Sequence, residues 1–246
     1  MNINKQVIKN YLAIDLKKDL RTAKAILLRS RINGYIGWAG HGNLGDEAPY
    51  HAYKKLFPES RLVEFNLDRP IKVLSSLSRV EKSFGHVALG GGTLINQSEV
   101  YLKQTEYLIQ RQVPMFCLGT GVASQSFWSS HQEIHTAGEI TRWAELLKKF
   151  IYVGVRGPRS QKALAEVGLT VDVVGDSALT LADRTYRKRE SKKIIGINVS
   201  RGTDNVMWGD FKMFINQVEA AVTQLVRVGF EVRILPIWQS DLGACE

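Results

Sequence analysis

The sequence predicts an α/β protein with a mostly parallel sheet covered on both faces, followed by the beginning of a second α/β domain. Three observations predict it. Apolar strand-like runs alternate with stretches of helical period over residues 1–182, most of the runs end in glycine-bearing turns, and the same rhythm resumes after a charged stretch at 183–193.

The first segment holds Leu16, Leu20, Ala23, Ile26 and Leu27 at helical spacing beside Lys17, Lys18, Arg21, Lys24, Arg29 and Arg31. It reads either as a core-packing helix with a solvated basic face or as a helix lying on a membrane surface. Strand-like runs follow at Tyr35–Trp38, Leu62–Phe65, Val87–Leu89, Pro114–Leu118, Ile151–Val155 and Val171–Val174. Segments of helical period lie between most of them, at Glu47–Leu56, Val100–Arg111, Glu139–Lys149 and Ser160–Val167. The stretch ADRTYRKRESKK has almost no apolar residue and reads as a linker. Beyond it come a strand at Ile194–Val199, a helix around Phe211–Val228 and a strand at Glu231–Pro236. Two strands and one helix cannot cover both faces of a sheet. The expectation is therefore a second domain that is incomplete within these residues.

Composition bounds the function. The 246 residues are 44% apolar and 23% charged, enough to bury a core and unlike a disordered chain. The two cysteines, Cys117 and Cys245, have no metal-ligand spacing, and Cys117 lies in an apolar run as a buried thiol would. No leader-like or membrane-spanning apolar stretch is evident, so the expected location is cytoplasmic. The net charge of +9 suits an anionic lipid, a nucleic acid or a phosphorylated substrate. Nucleic acid is disfavoured because the basic residues form no stripe interleaved with aromatics.

In parallel sheets, ligands bind at the loops leaving the carboxyl ends of the strands. The first strand runs into Gly40-His41-Gly42-Asn43-Leu44-Gly45-Asp46-Glu47, whose glycines permit close backbone approach and whose helix start offers free N–H groups. Gly40, Gly42 and Gly45 fit the letter of a dinucleotide fingerprint, with Glu64 at the appropriate distance. Against it, two carboxylates stand where a pyrophosphate would sit. Asp46 and Glu47 either cap the helix or act as general base on a hydroxyl. The third strand ends in Gly90-Gly91-Gly92-Thr93 and the fourth in Gly119-Thr120-Gly121; three such loops can form one floor.

The fifth strand delivers Arg156, which suits a phosphate or carboxylate or pairs with Asp176; Ser160 in the next helix either binds ligand or caps. His131 and His135 lie four apart, but flanking serines suggest a loop and no third ligand stands near, so no metal site is expected. They remain acid/base candidates. Phe127 and Trp128, just before them, are either core or a sugar platform.

The ordered series GHGNLGDE, LGGGT, LGTG, VRGPRSQKAL and GDSAL resembles the polysaccharide pyruvyltransferase family over most of residues 33–182, with a looser continuation through IGINVS and LPIWQSD. The resemblance implies a GT-B-like enzyme with a Rossmann-like first domain. It implies transfer of the enolpyruvyl group of phosphoenolpyruvate to a saccharide, forming a pyruvate ketal in exopolysaccharide or cell-surface glycan biosynthesis. Phosphoenolpyruvate would be a donor substrate and no cofactor would be needed. The acceptor would be a saccharide, carried on a lipid and met at the inner face of the membrane. In that reading Asp46, Glu47, Asp176, His131 and His135 are the acid/base candidates. Gly42, Asn43, Gly45, Gly90, Gly91, Gly92, Thr93, Gly119, Gly121, Arg156 and Ser160 line the substrates. Family members carry a donor-facing arginine and histidine late in the second domain. No histidine follows His135, so the expectation is a fragment or a chain impaired in donor binding. The competing readings are a GT-B glycosyltransferase using a nucleotide sugar and a non-catalytic saccharide-binding remnant.

Overall fold

A computed structural model describes residues 32–65, 84–124, 139–182, 193–199, 210–237 (Phe211 in its backbone only) and 241. The basic N-terminal segment, Phe127, Trp128, His131, His135, Cys245 and residues 183–192 of the linker lie outside the described residues. The chain divides into two compact units. The first runs to Ala182 except for Gly42–Leu44, which group with the second, Asp183–Glu246.

The first unit is a parallel sheet with helices. Strand β1 (Ile32–Ile36) is buried at every position, as a central strand covered on both faces must be. It pairs in parallel with β2 (Arg61–Glu64) on one side and β3 (Phe84–Leu89) on the other. Next to β3 come β5 (Met115–Val122), β6 (Tyr152–Val155) and the short β7 (Asp172–Val173), all parallel, in the order β2-β1-β3-β5-β6-β7. Among the described residues, the strand β4 (Thr93–Ile95) pairs with the far end of β5 alone. Such a mixed α/β architecture with a parallel sheet is Rossmann-like.

Among the described residues of this unit the α-helices are α1 (Leu44–Leu56), α2 (Glu99–Gln110), α3 (Glu139–Leu147) and α4 (Pro158–Ala165). Ser98 caps α2 by accepting from the Val100 N–H, and Pro158 opens α4 at a position where a missing N–H costs nothing. The larger core gathers Ile32, Ile36, Leu89, Leu102, Leu108, Met115, Trp143 and Leu164. Tyr35, Tyr53 and Ala88 form a second cluster, with Phe57 and Phe116 packed against it. Cys117 is fully buried, and burial pushes its thiol up to about 11, so it is an inert core residue.

Several sequence expectations shift; the first strand, expected at Tyr35–Trp38, runs over Ile32–Ile36. The LGTG turn is not a turn, because β5 continues through it to Val122 and its last residues pair with β4. The helix expected from Glu47 begins three residues earlier, at Leu44.

In the second unit β8 (Ile194–Ile197) and β9 (Glu231–Ile234) pair in parallel, joined through helix α5 (Phe211–Arg227). The Asp210 carboxylate caps α5, accepting from the Lys212 and Met213 N–H groups at 2.9 and 3.1 Å. Gly229 ends the helix at φ +87°, the left-handed conformation that favours glycine. Among the described residues no helix is long and apolar enough to cross a membrane.

Candidate functional site

The strand order locates the site. From β1 the chain steps outward to β2, then returns to lay β3 on the other side of β1. The connections leaving β1 and β3 thus diverge, and it is at such a switch point that open parallel sheets bind ligands, at the carboxyl ends of the strands. The segment Gly37–His41, the first turn of α1 and the Gly90–Gly92 loop surround that point.

Tyr35 builds its floor. The side chain is almost wholly buried, and its ring lies under three glycines from two loops. A Cβ added at Gly37 would meet Tyr35 Cε1 at 2.5 Å, one at Gly90 would meet Cε2 at 2.6 Å, and one at Gly91 would meet the hydroxyl at 2.5 Å. Gly91 and Gly92 also take positive φ, +67° and +52°. The glycines are therefore required by the tyrosine packed against them. The Tyr35 hydroxyl is buried without a hydrogen-bond partner among the described residues. Burial and the neighbouring carboxylates of Asp46 and Glu64 push its pKa well above the ordinary value.

Asp46 borders the same floor, its Oδ1 only 3.2 Å from where a Gly92 Cβ would stand. Desolvation, helped by the neighbouring Glu47, raises its pKa to about 6. A carboxylate in that range is ionised at neutral pH yet basic enough to take a proton from a hydroxyl poised for attack. Glu47, the next residue, does something different. Its Oε1 accepts from the backbone N–H of Gly40 and, at 3.1 Å, from that of His41, tying the loop after β1 to α1.

The Gly92 carbonyl accepts from the Gly121 N–H at 2.9 Å, which joins this floor to the end of β5. There the Arg156 guanidinium arrives. Its Nη2 donates to Thr93 Oγ1 at 2.7 Å, and its Nη1 lies 3.8 Å from Asp176 Oδ2. The Arg156 side chain is 40% exposed and that of Asp176 34%, so the pair is a loose, screened contact. It leaves guanidinium N–H groups available to an anion. Asp176 also caps the short 3₁₀ helix Ser177–Leu181, accepting from the Ala178 N–H at 2.9 Å. Gly119 is held against that turn: a Cβ on it would meet the Gly175 carbonyl oxygen at 2.6 Å.

Ser160 points elsewhere. It is buried, and its hydroxyl accepts from the Val122 N–H at 3.1 Å, fastening α4 to the end of β5. Gly45 lies in the first turn of α1, while Gly42 (φ +74°) and Asn43 group with the second unit. The first unit thus brings Asp46, Gly90, Gly91, Gly92, Thr93, Gly119, Gly121, Arg156 and Asp176 to one sheet edge.

Two contributors escaped the sequence reading. Tyr35 was visible only as a strand residue. Trp38, with its ring stacked on that of His41 at 4.8 Å and 17°, stands at the same edge and is 37% exposed. Its signal was an aromatic residue inside a glycine loop.

No curated protein matches the sequence significantly. The family model for polysaccharide pyruvyl transferase matches residues 43–243, a span that includes α1, the Gly90–Gly92 loop, Arg156, Asp176 and β9. The chain therefore belongs to the polysaccharide pyruvyl transferase family and is a transferase.

Proposed function

We propose that the sheet edge of the first unit transfers the enolpyruvyl group of phosphoenolpyruvate to two hydroxyls of a saccharide, closing a cyclic pyruvate ketal and releasing phosphate. The observation that carries this is the shared floor at Gly92 and Gly121, with a carboxylate of raised pKa on one side and a half-exposed guanidinium on the other. A donor bearing both phosphate and carboxylate calls for a guanidinium and backbone N–H groups, which Arg156 and the glycine loops offer. An acceptor hydroxyl calls for a base, and Asp46 supports that role.

One saccharide hydroxyl adds through oxygen to C2 of the enol while a proton is delivered to its methylene carbon, which becomes a methyl group. The C2–O bond to phosphate then breaks, and the second hydroxyl closes the ketal. Of the two hydroxyl protons, one matches the proton gained by carbon and the other leaves with phosphate. Asp46 accepts the first. Asp176 is positioned to steady Arg156, and the proton donor to carbon is assigned to His131 or His135 on sequence grounds alone.

In this reading the two units are the halves of a GT-B-like enzyme. The acceptor is a lipid-linked saccharide of exopolysaccharide or cell-surface glycan synthesis, met at the cytoplasmic face of the membrane. The basic N-terminal segment supports that last element through attraction to anionic lipid. The test is phosphate release from phosphoenolpyruvate in the presence of candidate acceptor glycans. Acceptor-dependent release, abolished in Arg156→Ala with the fold intact, is expected. Thermal stabilisation by nucleotide sugars and not by phosphoenolpyruvate would overturn the reading in favour of a glycosyltransferase.

A further inference from the structure

We propose that Trp38, clamped by its stack on His41, is the platform on which a pyranose ring of the acceptor lies. The inference rests on the sheet edge being the pyruvyl-transfer site. Trp143, by contrast, is fully buried in the core, whereas Trp38 is 37% exposed on a loop at the carboxyl end of β1. Exposure of one aromatic ring would mean little on its own. The ring is also held in place: the imidazole of His41 covers it at 4.8 Å and 17°, fixing the plane of the indole.

That clamp is tied to the chemistry. The His41 N–H donates to Glu47 Oε1 at 3.1 Å, and the Gly40 N–H donates to the same oxygen. Glu47 sits in the first turn of α1 beside Asp46. Platform and base are therefore carried by one braced segment. This also gives Glu47 a function, as the residue that positions the platform.

The occupant follows from the ring's charge distribution. An indole face is electron-rich, and it attracts the weakly positive axial C–H groups that line one face of a pyranose. Hydroxyls at the sugar's rim stay free to react, as ketal formation across two of them requires. The same face repels an anion, so phosphoenolpyruvate is not its ligand. Trp38 accordingly selects the acceptor and leaves the donor to Arg156.

The test is saturation-transfer NMR on the purified full chain with the methyl glycosides of glucose, galactose, N-acetylglucosamine and N-acetylmannosamine. Wild type is expected to transfer saturation to the ring C–H protons of at least one of them. The effect should fall at least about fivefold in Trp38→Ala and be partly kept in Trp38→Phe. Thermal stabilisation by phosphoenolpyruvate should be equal in wild type and Trp38→Ala. Equal transfer in wild type and Trp38→Ala, no transfer from any of the four glycosides, or loss of phosphoenolpyruvate stabilisation in Trp38→Ala would each overturn the proposal. If wild type binds a glycoside through Trp38 but releases no phosphate with any acceptor, the sugar platform stands and the pyruvyl-transfer reading fails.

Discussion

Arg156 donates to the hydroxyl of Thr93 at 2.7 Å, and the space for its guanidinium exists because residue 121 is glycine. A Cβ at Gly121 would come within 2.8 Å of Arg156 Nη2 and 3.0 Å of Thr93 Oγ1. Both are side-chain atoms, and the guanidinium is the far end of a flexible one.

Gly121→Ala is therefore expected to fold and to displace Arg156. Its melting temperature should stay within a few degrees of wild type, while the KM for phosphoenolpyruvate rises about tenfold, equivalent to about 1.4 kcal/mol. An unchanged KM would remove Arg156 from the donor site.

Gly91 and Tyr35 form a second pair whose coupling can be measured. Alanine at 91 would take a left-handed φ of +67° and push its Cβ to 2.5 Å from the tyrosine hydroxyl. Gly91→Ala should cost on the order of 2–3 kcal/mol, part conformational and part steric. Tyr35→Phe alone should be close to neutral, since the hydroxyl has no partner among the described residues. In the double variant the nearest ring atom, Cζ, would be 3.7 Å from the new methyl. Denaturant titration of all four proteins should show a coupling of about 1 kcal/mol, with the conformational part of the cost remaining.

Much of the sheet was legible because buried parallel strands read as continuous apolar runs, as at Val87–Leu89 and Met115–Leu118. The three-residue β4 was not, since it forms by pairing with a β5 that runs on through two glycines. The glycine loops and Arg156 were legible as a carboxyl-edge set. What stayed hidden was the assignment of individual polar groups. Ser160 and Val122 are 38 residues apart, and no local pattern announces that the serine hydroxyl accepts that strand's N–H. Glu47 and Asp46 are adjacent and chemically alike, yet one braces a loop while the other carries the raised pKa. Tyr35 matters because of which loops close over it, which is a tertiary fact.

His86 supplies a pH-dependent weakness on β3. Its ring packs 4.9 Å from both Phe57 and Phe116, its Nε2 is buried without a hydrogen-bond partner among the described residues, and burial lowers its pKa below 6.5. With the folded pKa depressed, the neutral ring is favoured in the native state. Stability is complete above pH 6.5 and is lost as pH falls from there through the folded value. His86→Phe should flatten thermal stability between about pH 7 and pH 5 relative to wild type. A wild-type melting temperature that does not fall over this interval relative to His86→Phe would contradict the burial argument.

Asp46 behaves with the opposite sign. Its pKa rises from 3.8 unfolded to about 6 folded, so the native state holds the proton more tightly. The associated stability is fully present below pH 3.8 and is lost as pH rises through about 6. At neutral pH the wild type therefore carries a desolvated carboxylate at a cost on the order of 1 kcal/mol, once its partial solvation is allowed for. Asp46→Asn removes that charge without changing the side chain's size. It should be more stable than wild type at pH 7.5 by a few degrees in melting temperature, with the advantage vanishing near pH 4. It should also lose at least about a hundredfold in kcat, the scale of a general base. Wild-type kcat should climb with pH to a plateau above about 6, and the residual rate of the variant should lack that limb. A variant that is more stable and equally active would make the raised pKa a burial effect with no part in catalysis. A variant that is less stable would mean the carboxylate is held by native contacts stronger than its desolvation.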